Sequence, residues 1–143
     1  MRVVVDTNIL FSALLNSKSN IGNLLFLSGK RFSFYSCTHL RNEIQNNWDK
    51  LKTISGLSDK NLNDSLFVLY KRITFINEEL IPDDIWHKAT KLVQHIDPDD
   101  IPFIALTEFL NAVLWTGDKV LYKGLKARNY KRIIITSEML SVS

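Results

Sequence analysis

Short apolar runs rich in β-branched or aromatic residues alternate along this chain with stretches whose apolar residues recur every three or four positions. That alternation constrains the fold more than any other feature. Residues 2–5 (RVVV) predict a first strand, and residues 7–15 a helix. Ile21, Leu24, Leu25 and Leu27 predict a second helix ending at Gly29, and residues 31–36 (RFSFYS) a second strand. Leu40, Ile44, Trp48 and Leu51 predict one helix capped by Thr38 or Cys37, with Glu43 in its second turn. Another helix begins at Ser58 with Leu62, Leu66 and Leu69, and residues 74–76 predict a third strand. Pro82 and Pro102 each open a helix, since proline in the first turn forfeits no needed hydrogen bond. Residues 112–115 and 131–135 predict strands four and five, and 137–140 a last helical turn. Strands alternating with amphipathic helices predict an α/β chain: a three-layer α/β/α sandwich with a central, mainly parallel sheet of about five strands. Residues 1–143 are expected to form a single domain.

Hydrophobic residues make up 45% and charged residues 23% of the chain, a balance suited to a packed core with a solvated surface. The uncharged run 109–117 is too short to span a bilayer, and the first apolar residues meet Asp6 too early for a secretory leader. With a single cysteine, Cys37, no internal disulfide can form, so the expectation is a cytoplasmic protein without a membrane segment. The net charge of +3 is unevenly placed, with Lys119, Lys123, Lys126, Arg128, Lys131 and Arg132 all following Asp118. A basic stretch beside an acidic one suits a polyanion held near metal ions.

The acidic stretch is 94–122, where Asp97, Asp99 and Asp100 stand at a helix start and Asp118 follows strand four. In a parallel sheet, ligands bind beyond the carboxyl ends of the strands, near the point where strand order reverses. Asp6, Glu43 and Asp118 are expected at that edge from connectivity alone, and a right-handed crossover brings the helix start at Asp100 there too. Taken singly, Asp6, Asp97, Asp99 and Asp100 read as helix caps, Asp118 as a turn acid and Glu43 as a solvated helix position. Together they repel, at a cost on the order of 4 kcal/mol for a pair about 4 Å apart at an effective dielectric near 20. A hard divalent cation removes that cost, and oxygen-only ligands favour Mg²⁺ or Mn²⁺ over Zn²⁺. His39, His87 and His95 have no metal-like spacing and read as surface or satisfied polar residues, while Trp48, Trp86 and Trp115 read as core. Tyr122 reads as a packing residue that could also stack on a base.

VDTNIL at 5–10, the glutamate of RNEI at 41–44, DPDDIPFIAL at 97–106, TGDK at 116–119 and the closing KRIIIT resemble, in this order, a PIN-domain ribonuclease of the VapC-like toxin type. The resemblance implies that Asp6, Glu43, Asp100 and Asp118 are the metal-binding catalytic acids, with Asp99 and Asp97 as fallback ligands. Asp100 is preferred because the family's acid precedes a helix with a small residue five positions on, here Ala105. Asn8 and Thr116 would orient the acids, and Lys119, Lys123, Lys126 and Arg128 would line the RNA backbone. The implied reaction is Mg²⁺- or Mn²⁺-dependent hydrolysis of RNA phosphodiester bonds, and the implied partners are a cognate antitoxin and a second copy of the chain.

Three other readings fit less well. A haloacid dehalogenase-like phosphatase needs an acid two positions after its first aspartate and another four after the late one, where this chain has Asn8 and Tyr122. A receiver-type phosphoacceptor needs an aspartate after strand three, where Asn77, Glu78 and Glu79 stand. A PIN scaffold kept only for binding RNA or protein would not need all four acids. An RNA-maturation nuclease outside any toxin pair shares every residue of the leading reading.

Overall fold

The computed structural model describes residues 1–143. Strands β1 (Arg2–Val5), β2 (Ser33–Cys37), β3 (Ile73–Ile76), β4 (Val113–Trp115) and β5 (Ile133–Ile134) form one sheet in the order β3-β2-β1-β4-β5. Every pairing is parallel. Helices α1 (Thr7–Leu15), α2 (Asn20–Leu27), α3 (Thr38–Asn46), α4 (Trp48–Ser55) and α5 (Asp59–Tyr70) fill the connections from β1 to β3. Helices α6 (Asp83–Val93) and α7 (Ile101–Leu110) join β3 to β4, α8 (Lys119–Ala127) joins β4 to β5, and α9 (Thr136–Val142) ends the chain.

The path steps one way from β1 to β3, then crosses back over β1 to β4 and β5. Right-handed crossovers therefore require helices on opposite faces for the two halves. The packing agrees: α1 meets α2, α3, α4 and α5, and α9 rests on α2, whereas α6, α7 and α8 pack together. This is the α/β/α sandwich expected from the sequence. Because β1 lies at its centre, Val3, Val4 and Val5 are wholly buried, and polar residues stand only at its two ends, Arg2 and Asp6. Helix α7 has no polar face, burying Phe103, Ile104, Ala105, Leu106 and Thr107 against β1, β2 and β4. Each such aliphatic or aromatic side chain contributes about 1.5–3 kcal/mol of burial. Since α7 leads into the start of β4, its own start lies at the opposite, carboxyl edge of the sheet.

Several boundaries differ from expectation, each for a local reason. The helix predicted through Leu51 breaks at Asn47, whose side-chain amide donates to the Glu43 carbonyl, so α3 and α4 are separate. Strand β2 begins two residues later than expected, and β5 is only two residues long. Trp115 is fully buried, but Trp48 and Trp86 are only partly so, and the Trp48 indole donates to Asp59. Asp99 and Asp100 stand just ahead of α7 as expected, in a 3-10 turn, Pro98–Asp100, that leads into it.

The largest difference is α8, which the sequence reading left without secondary structure. Leu121 and Leu125 bury its inner side, while Gly124 lowers its helical propensity and hides it. That glycine has a packing reason. A Cβ there would meet Ile96 Cδ1 at 2.8 Å, so its absence lets α8 close onto the segment just ahead of Asp97. Gly124→Val is expected to destabilise the protein by about 1–3 kcal/mol, read as an earlier urea midpoint with an unchanged m-value. In Gly124→Ala the gain in helix propensity, about 1 kcal/mol, offsets a small displacement of Ile96.

Candidate active site

Asp6 ends β1 and begins α1. Its Oδ1 accepts from Ile9 N at 3.0 Å, and its Oδ2 accepts from Thr116 Oγ1 at 2.6 Å. The second bond follows from the register, because Val5 pairs with Trp115 and the next residues on each strand meet. The same Thr116 oxygen accepts from Asp118 N at 3.0 Å, so one hydroxyl fixes both acids at the switch point of the sheet. Asp118 caps α8, its Oδ1 accepting from Val120 N and Leu121 N, which leaves Oδ2 unengaged. Asp97 caps the 3-10 turn through Asp99 N.

Asp97, Asp100 and Asp118 each place a carboxylate oxygen within 4.8 Å of the other two. Asp6, Glu43 and Asp99 line the same cavity, of about 170 Å³, together with Thr7, Asn8 and Phe103. The six carboxylates thus come from β1, α3, the turn before α7 and the start of α8. Asp100 is half-buried and Asp99 exposed. Asn8 is exposed at the cavity wall, and its amide holds none of the acids.

Burial pushes the Asp6 carboxyl up to about 6, against the opposing hydrogen bonds from Thr116 and Ile9. Asp100 is pushed up to about 8, first by burial and then by the charges of Asp6, Asp97, Asp118 and Glu43. A cluster of this kind is electrostatically strained as it stands. The donors fit a hard divalent cation: all are oxygens, several have an unengaged lone-pair side, and no cysteine or histidine lines the cavity. A larger cavity of about 470 Å³ lies among Leu14, Phe26, Leu57 and Leu69 and contains no acid, so the smaller one carries the chemistry.

Three residues outside the sequence-derived set surround Glu43 and the start of its helix. Thr7 Oγ1 donates to Glu43 Oε1 at 2.5 Å. His39 Nε2 lies 3.2 Å from the same oxygen without hydrogen-bond alignment, one turn earlier on α3. Glu78 accepts from Thr38 N at 2.7 Å and His39 N at 3.1 Å, supplying the cap that Cys37 cannot give to the helix bearing Glu43. Thr7 was legible only as a polar turn residue beside Asp6, and no local signal links Glu78 to a helix forty positions earlier.

On α8, Lys119, Lys123 and Lys126 are exposed at spacings of four and three, forming one cationic stripe that leads away from Asp118. Arg128 does not join it. Its guanidinium donates to Lys91 O and Leu92 O at the end of α6, and Arg132 lies 3.5 Å from the largely buried Glu108 carboxylate. Tyr122 is partly buried, with the Lys126 ammonium 5.4 Å from its ring centre.

A protein-family model described as "PIN domain" matches residues 4–138. The chain belongs to the PIN domain family. No curated protein sequence gives a significant match to it. Among solved structures, this PIN domain is similar to a chain of VapBC2 from Rickettsia felis bound to a DNA fragment from its promoter, with a TM-score of 0.67 and 19% identity. It is also similar to a chain of a toxin-antitoxin complex from Klebsiella pneumoniae, with a TM-score of 0.62 and 16% identity. Each likeness covers 94% of this chain and 97% of the other, which establishes a shared PIN fold over nearly the whole length. No helix is long and apolar enough to cross a membrane.

Proposed function

We propose that this PIN domain is a Mg²⁺- or Mn²⁺-dependent endoribonuclease and the toxin of a toxin-antitoxin pair. The observation that carries the reading is the convergence of six carboxylates on one cavity, two of them held above the ordinary carboxylate range. Capping accounts for one side of Asp6, Asp97 and Asp118 but not for gathering six acids in one cavity, a cost in stability that marks a functional site. Asp6, Glu43, Asp100 and Asp118 are the proposed metal-holding acids. Asp97 joins them through its place beside Asp100 and Asp118, and Asp99 stands at the rim.

A bound Mg²⁺ or Mn²⁺ would neutralise the acids, lower the pKa of water and stabilise charge on a phosphoryl oxygen. The chain's own residues do the rest. Thr116 fixes Asp6 relative to Asp118, Thr7 fixes Glu43, and Asn8 stays free at the wall to meet substrate. The lysine stripe of α8 attracts the RNA backbone and directs it toward Asp118. The toxin assignment and an antitoxin partner are supported by the likeness to chains of toxin-antitoxin complexes, and a homodimer in the cytoplasm completes the proposal.

The test is cleavage of single-stranded RNA by the purified chain with Mg²⁺, with Mn²⁺ and with EDTA. Cleavage with either metal and none with EDTA is expected. Equal cleavage in EDTA would overturn the metal-dependent mechanism, and no cleavage under any condition would favour a binding module.

A further inference from the structure

Beside the acid cavity lies a second, chemically opposite one. It measures about 230 Å³ and is lined by Thr116, Gly117, Lys119, Ile135, Thr136 and Ser137, with no carboxylate among them. The loop from Thr116 to Lys119 is a wall of both cavities, so Asp118 faces one while the residues on either side of it face the other.

The polar groups of this second cavity are available as donors. Lys119 is exposed and forms no salt bridge, unlike Lys88 and Arg132, which are paired with Glu108. Thr136 Oγ1 accepts from the Trp115 indole Nε1 at 3.0 Å. A hydroxyl oriented in this way keeps its own proton for another acceptor, and none in the protein takes it. Ser137 is exposed, and its hydroxyl is not engaged by the protein. Thr116 is not available, because its hydroxyl is already shared between Asp6 and Asp118.

An ammonium and two free hydroxyls around a small pocket match a phosphate monoanion with several acceptor oxygens. An RNA strand that places one phosphate at the acid cavity must put its neighbouring phosphate close by, and the acids themselves would repel it. We propose that this cavity binds the phosphate adjacent to the scissile one, through Lys119, Thr136 and Ser137, and so sets the register of the strand. The proposal rests on the nuclease reading for the placement of the scissile phosphate, but its test measures binding rather than cleavage.

The test uses the full chain carrying Asp6→Asn, in Mg²⁺, and a short fluorescent single-stranded oligoribonucleotide followed by anisotropy across a salt series. Adding Lys119→Gln and Ser137→Ala is expected to weaken binding about tenfold and to reduce the slope of log affinity against log salt by about 0.7. A neutral methylphosphonate, moved through the oligonucleotide one linkage at a time, should weaken binding similarly at one linkage in the parent and add nothing in the variant. Unchanged affinity and slope in the Lys119→Gln, Ser137→Ala variant would overturn the subsite, as would a methylphosphonate effect of the same size in both proteins. If this binding pattern holds while the wild-type chain cleaves no RNA, the subsite stands and the nuclease reading falls.

Discussion

Asp6→Asn is expected to lower metal-dependent RNA cleavage by a factor on the order of a thousand, the loss typical when one central electrostatic group is removed from a preorganised site. Asp6 is 2% exposed, and both its oxygens are fixed, one by the first turn of α1 and one by Thr116. The amide oxygen of asparagine can keep the Ile9 bond, so the helix start survives. Its amide NH₂ then faces Thr116 Oγ1, whose hydroxyl loses its acceptor, and the charge at the centre of the cluster is gone. Circular dichroism should be unchanged while Mn²⁺ binding, followed by the loss of its free paramagnetic signal, weakens with activity. A variant that cleaves at the wild-type rate would remove Asp6 from the mechanism.

The second large effect is on pH dependence. Asp100 is pushed from 3.8 to about 8, and Asp6 from 3.8 to about 6, by burial and by their neighbours' charges. A raised folded-state value means that the native chain holds protons the unfolded chain has released. The corresponding stability is complete below about pH 4 and is lost as pH rises through about 8. The metal-free protein should therefore melt at progressively lower temperature from pH 5 to pH 9, beyond any change from its other groups. Asp100→Asn should flatten that dependence and melt higher than wild type in EDTA at alkaline pH, by about 2–4 °C for each kcal/mol of repulsion relieved.

Metal affinity should run the opposite way. Binding displaces the Asp100 proton, so affinity for Mg²⁺ should strengthen by up to about tenfold per pH unit between about pH 6 and 8. Calorimetry in buffers of differing ionisation enthalpy would report the released proton. A melting temperature in EDTA independent of pH, and equal in Asp100→Asn, would contradict the strained cluster.

The sequence disclosed those parts of the molecule whose causes are local. Strand β1 was readable to the residue because four β-branched or charged positions end sharply at Asp6. The sheet class followed from the alternation of elements, and handedness alone was enough to carry the start of α7 to the carboxyl edge. What stayed hidden depends on distant partners. Helix α8 was concealed by a glycine present only so that Ile96 can pack against it, and the α3 to α4 break by a side chain competing for its own helix carbonyl. Within the acidic stretch, nothing local separates Asp97 from Asp99, yet the 3-10 turn leaves one beside Asp118 and the other exposed at the cavity rim. Arg128 is the converse case: counted as a free cation by composition, it closes a helix that composition cannot associate with it.

The strand order has a consequence for how the protein is made. Asp6 is made well before its partner Thr116 and the acid Asp118, which follow the adjacent strand β4. A nascent chain that has released β1, β2 and β3 with their helices holds only Asp6 and Glu43 of the proposed acids. The central strand has no neighbour on its β4 side until that strand arrives, and the cavity cannot close before then. Placing the later-made strands β4 and β5 beside the first-made strand therefore delays assembly of the acid cavity until β4 has been made.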